Sequence, residues 1–351
     1  MNVLVTGVGG GGHGEQIIKA LRLSSLGYRI IGTDMSPMSK GLQEVDVAEM
    51  TPPAGDSSYV DALLALCDKH DVKALFHGSE PELKVLSRNR EFFERRGIFL
   101  PINPPSVIET CMDKIRTFRF LAERGFAMPQ YWEIRSSDDL RRVSEMPVVI
   151  KPSVGGGGSA NLFIAQSVEE LYVYGEMLLK IYPEFVVQEY VGTPDHEYTV
   201  GVLYDMNGVF INSIAVRRFI MSALSNRLKV PNRTRKSELG NVLAVSSGVS
   251  QGEVGHFPNV TGPCEEMARE LGACGAINIQ CRLCNGRVLV FEINPRFSGT
   301  TSLRAMVGYN EPDILIRKHL LGQTIQPRFP YQSGVVLRGL SESLVRTNPA
   351  T

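Results

Sequence analysis

The chain has 351 residues, of which 43% are hydrophobic and 21% are charged, which is typical of a globular protein with two or three domains. Its 37 Lys and Arg residues balance its 37 Asp and Glu residues, so overall charge does not draw it to nucleic acid or to an acidic membrane. No apolar run approaches the roughly 20 residues needed to cross a bilayer, and the first residues do not resemble a signal peptide. We therefore expect a cytoplasmic protein that binds neither nucleic acid nor membrane.

Strands and helices alternate through the first third of the chain. Apolar strands are predicted at residues 3–5, 28–32 and 74–76, and helices at about 15–25 and 58–69. This alternation predicts right-handed βαβ units and a Rossmann-like parallel sheet in a first domain, residues 1–110.

A glycine-rich sequence follows the first predicted strand. Residues 7–12 match the spacing G-x-G-x-x-G, and Asp34 ends the next strand, near the position of a ribose-binding acid in dinucleotide-binding proteins. Three interpretations remain open: an NAD-binding loop, a turn that lets a helix pack closely on the sheet, or a helix N-terminus that receives an anionic substrate group. An NAD-dependent oxidoreductase is therefore one alternative for the function.

The middle of the chain, residues 111–186, combines lysines with a second glycine run. Lys114 opens a predicted helix, and Lys151 ends the apolar strand 148–151. Backbone N–H groups of a glycine loop can approach phosphate oxygens because glycine has no Cβ. Either lysine alone is also compatible with a solvated surface residue. The loop consists of Gly155, Gly156, Gly157, Gly158 and Ser159.

Antiparallel strands are predicted to dominate the last part of the chain, residues 187–351. Their hairpins turn at residues 205–208 and at Asn285-Gly286, which is a strong two-residue turn signal. Cys281 and Cys284 lie in the second hairpin with C-x-x-C spacing. Because residues three apart on a strand face opposite sides, a packing role is favoured over a zinc or redox site.

A polar and basic segment, residues 217–238, lies between the predicted hairpins. It has no clear periodicity and contains Pro231, so it cannot bury much apolar area. We therefore predict that it is mobile in the free protein and orders over an anionic substrate. The candidate partners of that substrate are Arg217, Arg218, Arg282 and Arg304.

Two strand ends suggest contacts for a nucleoside. Glu189, Tyr190 and Val191 end a predicted strand, and an exposed strand end offers backbone donors and acceptors to the edge of a purine. The nearby carboxylate of Glu197 can accept hydrogen bonds from ribose hydroxyls. Glu197 is also compatible with an ordinary exposed strand residue.

The hairpin at Asn285-Gly286 brings oxygen-bearing side chains together. It places Gln280 and Glu292 on adjacent strands, and Asn294 faces the same way as Glu292 because the two are two residues apart. Such a set suits a hard cation such as Mg²⁺, with phosphate and water as further ligands. Arg296 follows a proline and could meet a transferring phosphoryl group. A solvated hairpin with a proline bend is the alternative.

Taken together, these residues resemble the ATP-grasp superfamily, and most closely its carbamoyl-phosphate-synthetase-like branch. The resemblance covers about residues 7–322 and implies an α/β chain of α+β ATP-grasp type. An N-terminal Rossmann-like parallel-sheet domain would be followed by a two-lobed module, with the lid in 111–186 and the metal site in 187–351. The ordered set that carries the resemblance is Lys114, Lys151-Pro152, Gly155 to Ser159, Gln188-Glu189-Tyr190, Glu197, Gln280 and Glu292-Ile293-Asn294-Pro295-Arg296.

The resemblance also implies cofactors and residue roles. The cofactors would be ATP and Mg²⁺, with Mn²⁺ as a possible replacement. Lys114, Lys151 and the loop would hold phosphates, residues 189–191 adenine, and Glu197 ribose. Arg296 and Lys151 would be catalytic. The implied metal ligands are Gln280, Glu292 and Asn294.

The implied activity is ATP-dependent carboxylate–amine ligation. The enzyme would activate a small-molecule carboxylate as an acyl-phosphate and join it to an amine, releasing ADP and phosphate. Thiol ligation, carbamate chemistry and a non-catalytic nucleotide-binding protein remain alternatives, and a homodimer is compatible with the resemblance. Residues 217–252 depart from the pattern, since this stretch is longer and more basic here, so the substrates are not readable.

Overall fold

The computed structural model describes residues 1–9, 12–155, 161–222 and 224–343. The chain divides into two compact units: Met1–Leu100 together with the segment that begins at Leu337, and Pro101–Val336. The predicted division after residues 110 and 186 stays a prediction. Within the described part of the chain, no helix is both long enough and apolar enough to cross a membrane.

A four-stranded parallel sheet forms the centre of the first unit. Its strands are β1 (Asn2–Val5), β2 (Arg29–Asp34), β3 (Val47–Met50) and β4 (Ala74–Phe76), and they lie in the order β3-β2-β1-β4. The helices are α1 (His13–Arg22), α2 (Tyr59–Lys69), α3 (Glu80–Arg88) and α4 (Arg90–Glu94). All three pairings are parallel, which confirms the predicted sheet. The edge strand β3 is not predicted from the sequence, because none of its four residues is fully buried and their sequence shows little apolar periodicity.

The glycine-rich turn after β1 packs against the protein itself. Gly7 has a φ of +56°, which glycine adopts more readily than other residues. The N–H of Gly9 donates to Asp34 Oδ2 at 2.8 Å, and the other oxygen of that carboxylate accepts the N–H of Ser36 at 3.0 Å. Asp34 is therefore engaged within the protein, which favours the close-packing turn over a dinucleotide site. Residues 10–11 of the motif lie outside the described part.

Antiparallel strands dominate the second unit. In chain order they are β5 (Tyr131–Ile134), β6 (Val148–Pro152), β7 (Phe163–Ala165), β8 (Phe185–Glu189), β9 (Glu197–Tyr204), β10 (Phe210–Arg218), β11 (Asn226–Pro231), β12 (Val242–Ser246), β13 (Gly252–Gly255), β14 (Ala276–Cys284), β15 (Arg287–Asn294) and β16 (Gly334–Val336). A small sheet has the order β5-β8-β6-β7, and a large sheet has the order β15-β14-β9-β10-β13-β16. Strands β11 and β12 form a separate two-stranded ribbon.

The helices of the second unit cover these sheets. They are α5 (Pro105–Cys111), α6 (Lys114–Glu123), α7 (Ser137–Leu140), α8 (Val168–Leu179), α9 (Pro258–Leu271), α10 (Thr301–Met306) and α11 (Glu311–His319). Helix α6 begins because the Asp113 side chain accepts the N–H groups of Ile115 and Arg116. Apolar residues of α6 and α9 pack with β9 and β14 in one core cluster, and α8 packs in a second cluster with the small sheet.

The β14–β15 hairpin turns as its sequence predicts. Asn285 and Gly286 have φ values of +49° and +75°, which a two-residue hairpin loop of type I′ requires. In the resulting register, Gln280 lies opposite Glu292. The prediction that this hairpin places Gln280 and Glu292 on adjacent strands is confirmed.

The segment 217–238 contains more regular structure than predicted. Asn226–Pro231 form β11, in which half-buried and exposed residues alternate. The half-buried Leu228 and Val230 pack in a cluster with the buried Tyr190. The prediction of an irregular stretch is therefore wrong for this strand, because its short apolar alternation is hidden among Arg, Lys and Asn residues.

Candidate functional site

A cleft lined by residues of both sheets and of the β11–β12 ribbon lies in the second unit. Asn294 and Arg296 lie close by, at the end of β15 and just after it, and residues 156–159 lie outside the described part. The predicted site residues that line the cleft are Lys114, Lys151, Glu189, Tyr190, Val191, Glu197, Gln280 and Glu292.

Lys151 is buried at the end of β6, with only 6% of its surface exposed. Its Nζ donates to Phe291 O at 3.0 Å and lies 5.5 Å from the centre of the Phe118 ring. Burial, and to a smaller extent the positive charge of Lys114, lower the pKa of Lys151 to about 7, although the Glu292 carboxylate acts in the opposite direction. An anion that entered the cleft would restore the charged form.

We expect nucleotide binding to take up a proton at Lys151. Above pH 7 the free amine is largely neutral, whereas a bound triphosphate favours the ammonium form. Affinity for Mg-ATP should therefore fall as the pH rises from 7 towards 10. Calorimetry at pH 8, in buffers with different ionisation enthalpies, should show uptake of up to about one proton.

Two variants separate this effect from general changes in charge. Lys151→Met should abolish the proton uptake. Lys180→Met removes an exposed lysine just after α8 and should leave the uptake unchanged. ATP binding by the unmodified protein without proton uptake at pH 8 would contradict the role of Lys151.

The strand end after β8 is held firmly by neighbouring groups. The Tyr190 hydroxyl donates to Ala244 O at 3.1 Å and accepts the Ala244 N–H at 2.8 Å. The guanidinium of Arg282 lies 4.5 Å from the centre of the Tyr190 ring and donates to Val191 O at 3.0 Å. These contacts join the strand end to β12 and fix the backbone edge that faces the cleft.

Glu197 is almost completely buried, and two arginines share its carboxylate. Its Oε2 accepts from Arg282 Nε and Nη2 at 3.1 and 2.9 Å, and its Oε1 lies 3.3 Å from Arg218 Nη1. Both arginines are also buried. Protein groups thus already engage Arg218 and Arg282, two of the candidate partners of an anionic acceptor.

The other two arginines assigned to an acceptor also have protein partners. Arg304 is fully buried and donates to Glu311 Oε1 at 3.0 Å and to Asn278 Oδ1 at 2.7 Å. Arg217 Nη2 lies 2.7 Å from the carboxylate of Glu253 on the neighbouring strand. The prediction is wrong for Arg304, because its position in the core leaves it out of reach of a substrate.

Two of the three side chains predicted to bind a metal, Gln280 and Glu292, are hydrogen-bonded to each other. Gln280 Nε2 donates to Glu292 Oε2 at 3.0 Å, and Gln280 Oε1 accepts from Arg218 Nη1 at 3.2 Å. Asn294 Oδ1 accepts from Arg296 Nη2 at 3.1 Å, and the buried Asn294 Nδ2 has no protein hydrogen-bond partner. These contacts form two separate groups: Arg218, Gln280 and Glu292 join β10, β14 and β15, and Asn294 pairs with Arg296 just after β15.

Glu292 and Asn294 carry oxygens of the kind that a hard cation prefers, and the amide oxygens of Gln280 and Asn294 each accept a hydrogen bond from an arginine. Glu292 supplies a carboxylate, and Asn294 adds an amide oxygen two residues further along β15. In the described residues, no group of three or more His, Cys, Asp and Glu side chains could hold a metal alone. Phosphate oxygens of a nucleotide would therefore have to complete the coordination of Mg²⁺.

The two cysteines of the C-x-x-C sequence occupy different surroundings. Cys281 is fully buried in the core cluster that also contains Cys264. Cys284 lies against Gly192, where an added Cβ would come within 2.4 Å of its sulfur. Both thiols are free, and both positions agree with the predicted packing role.

Two family models match the chain. Residues 3–101 match the PylC-like N-terminal domain, and residues 182–342 match a family described as ATP-grasp in the biosynthetic pathway with Ter operon. The second match spans the strand end after β8, Glu197 and the β14–β15 hairpin. The resemblance inferred from scattered polar residues is therefore supported by models that cover most of the chain.

The chain is also similar in sequence to carbamoyl phosphate synthases. The chain is 24% identical over 259 residues to the carbamoyl phosphate synthase large chain of Thermoplasma acidophilum, covering 70% of this chain and 23% of the relative. The chain thus spans about a quarter of the length of the curated relatives that it matches.

Solved structures share the fold. The L-amino acid ligase of Bacillus licheniformis aligns with a TM-score of 0.64 at 17% identity, covering 93% of this chain and 77% of the ligase. The biotin carboxylase domain of the Hydrogenobacter thermophilus 2-oxoglutarate carboxylase, solved with Mg-ADP, has a TM-score of 0.58 at 18% identity, covering 90% and 68%. These matches confirm the predicted fold class. The ATP-grasp family model that residues 182–342 match, the carbamoyl phosphate synthase relatives and the shared fold agree in relating the chain to ATP-grasp ligases.

Proposed function

We propose that this chain is an ATP-dependent ligase, which phosphorylates a carboxylate and joins its acyl group to an amine, releasing ADP and phosphate. The observation that carries the proposal is the cleft of the second unit. Two lysines, a strand end suited to a purine and the Glu292 carboxylate line this one cavity. That combination matches the base, the phosphates and the metal of a nucleotide.

Different residues of the cleft would bind the different parts of the nucleotide. The backbone of Glu189, Tyr190 and Val191 would meet the adenine. Lys114 and Lys151 would hold phosphate oxygens, together with the loop of residues 156–159. Glu197 would accept a ribose hydroxyl only through lone pairs that its two arginines leave open.

Charge neutralisation would be the main chemical contribution of the site. A carboxylate that attacks the γ-phosphate brings two anions together, so cationic groups must offset their repulsion. Glu292 and Asn294 would hold Mg²⁺ or Mn²⁺, which supplies part of that charge when bound. Arg296 adds a fixed guanidinium, held by Asn294 Oδ1 and by Phe297 O at 3.1 and 3.0 Å.

The fold alone does not determine the substrates. One of the structural neighbours with this fold is named an L-amino acid ligase. Small-molecule carboxylate and amine substrates, a homodimer and a cytoplasmic location remain predictions for this chain.

We expect the chain to bind ATP and not NAD. Asp34, the acid that an NAD site needs, is already hydrogen-bonded to Gly9 and Ser36, whereas Lys151 and Glu292 have no role in such a site. Calorimetry should detect Mg-ATP binding and no NAD binding. Tight NAD binding without an ATP response would contradict the assignment.

The reaction is tested by following ADP release against a panel of carboxylates and amines. A carboxylate that supports ADP release is then labelled with ¹⁸O. One label should appear in the released phosphate, because the carboxylate oxygen that attacked phosphorus leaves with the phosphate when the amine displaces phosphate from the acyl carbon. Arg296→Lys should lower kcat on the order of 10²–10³-fold while weakening ATP binding much less. Unlabelled phosphate would rule out an acyl-phosphate intermediate.

A further inference from the structure

Three polar side chains form a row across the large sheet, two of them on the neighbouring strands β14 and β15 and the third on β10, which β9 separates from β14. Arg218 ends β10 and is 3% exposed, Gln280 lies on β14, and Glu292 lies on β15. Arg218 Nη1 donates to Gln280 Oε1 at 3.2 Å, and Gln280 Nε2 donates to Glu292 Oε2 at 3.0 Å. The amide of Gln280 thus connects a guanidinium to the carboxylate that faces the cleft.

The chemistry of its neighbours fixes the orientation of this amide. A guanidinium only donates hydrogen bonds, and an ionised carboxylate only accepts them. Turning the amide over would direct N–H groups at Arg218 and an oxygen at Glu292, so both contacts would become repulsive. Gln280 therefore presents its oxygen to Arg218 and its nitrogen to Glu292.

Arg218 cannot easily release the amide, because other groups hold its guanidinium. Its Nη1 also lies 3.3 Å from Glu197 Oε1, and its Nη2 donates to the carbonyl of Ser247. Glu197 is in turn bound by Arg282 at 2.9 Å. Burial strengthens these charged contacts, since little water competes for them.

We propose that Gln280 is a positioning residue and not a metal ligand, and that Arg218 sets its orientation. The N–H of Gln280 holds Oε2 of Glu292, which leaves Oε1 of the same carboxylate to bind the cation. This inference rests on the proposed use of ATP and a divalent cation. It departs from the resemblance, which assigns Gln280 to the metal.

The coordination of Mn²⁺ distinguishes the two roles directly. Mn²⁺ is bound to the protein together with a non-hydrolysable ATP analogue, and electron paramagnetic resonance in ¹⁷O-enriched water counts the water ligands of the ion. In Gln280→Met the count should equal that of the unmodified protein, because no protein ligand has been removed. One additional water in the variant would show that Gln280 is a ligand and would overturn the proposal.

Affinities provide a second measurement. Losing a side chain that orients a metal ligand typically weakens binding about 10–100-fold, so Gln280→Met should weaken Mn²⁺ binding by that amount. Arg218→Met should weaken it as well, and Arg218→Lys should recover part of the loss, because a lysine still donates to the amide. If Gln280 were a ligand, Arg218→Met would free its oxygen and maintain or tighten the binding.

The double variant and a control complete the test. In the Gln280→Met background, Arg218→Met should cause little further loss, because its effect passes through the amide; additive losses would overturn the proposal. Gln323→Met removes an exposed glutamine away from the cleft and should change neither the water count nor the affinity. Failure of the unmodified protein to bind Mn²⁺ with the analogue would overturn the proposed function itself, and this inference with it.

Discussion

Glu292→Gln should lower kcat by about 10³-fold, equivalent to roughly 4 kcal/mol of lost stabilisation. Glu292 supplies the carboxylate of the predicted metal set, while Gln280 and Asn294 are neutral amides. The substitution preserves size and leaves an amide oxygen to accept the N–H of Gln280, so the fold should be retained. Steady-state ADP production measures the loss, and circular dichroism tests the fold.

A matched control lies on the same sheet. Glu253 is on β13, where its carboxylate lies 2.7 Å from Arg217 in a partly exposed ion pair. Glu253→Gln should therefore leave kcat nearly unchanged. If folded Glu292→Gln released ADP at the rate of the unmodified protein, the cation would not depend on this carboxylate.

Arg304→Met should destabilise the second unit by about 3–5 kcal/mol. Arg304 and Glu311 are both fully buried and lie 3.0 Å apart, so removing the guanidinium leaves an unpaired carboxylate in the core. Denaturant unfolding followed by fluorescence measures the change, because the single tryptophan, Trp132, lies in this unit.

Two further variants test the cause. Arg141→Met breaks an ion pair whose partners are 75% and 81% exposed, and should cost less than about 1 kcal/mol. Adding Glu311→Leu to Arg304→Met should recover part of the stability, since the unpaired charge is then removed. A loss below about 1 kcal/mol for Arg304→Met alone would mean that the buried pair contributes little.

Local signals explain why much of the fold could be predicted. The β14–β15 hairpin depends on Asn285 and Gly286, whose positive φ values belong to the turn itself. The strand that contains Lys151 is a short apolar run, and the helix that begins at Lys114 has its cap one residue earlier in sequence. Because each signal is contained in a few neighbouring residues, strand and helix positions were readable without knowing the tertiary structure.

The partners of the arginines could not be predicted in the same way. Glu197 meets Arg218 and Arg282 because β10 and β14 flank β9 in the large sheet. Nothing close to these residues in sequence specifies that order. The sequence therefore offers Arg218 and Arg282 as candidate partners of an anionic acceptor, although the core uses them to pair a buried carboxylate.

The glycine motif shows the opposite case, in which a local sequence pattern suggests a function. Its spacing is that of a dinucleotide-binding loop, but the hydrogen-bond partners of Asp34 determine whether its carboxylate can bind a ribose. That carboxylate accepts the N–H groups of Gly9 and Ser36, so it closes the turn. The spacing of a sequence motif does not show whether a carboxylate is already hydrogen-bonded within the protein.

The burial of Lys151 also favours the neutral form of its amine. A lysine whose pKa is about 7 carries a free lone pair on much of the protein near neutral pH, whereas exposed lysines remain protonated. Acylating reagents that carry a nucleotide would bring their electrophile to this nitrogen and would find few competitors elsewhere on the chain. The same desolvation that prepares the site for phosphate thus offers a point of attachment for covalent inhibitors.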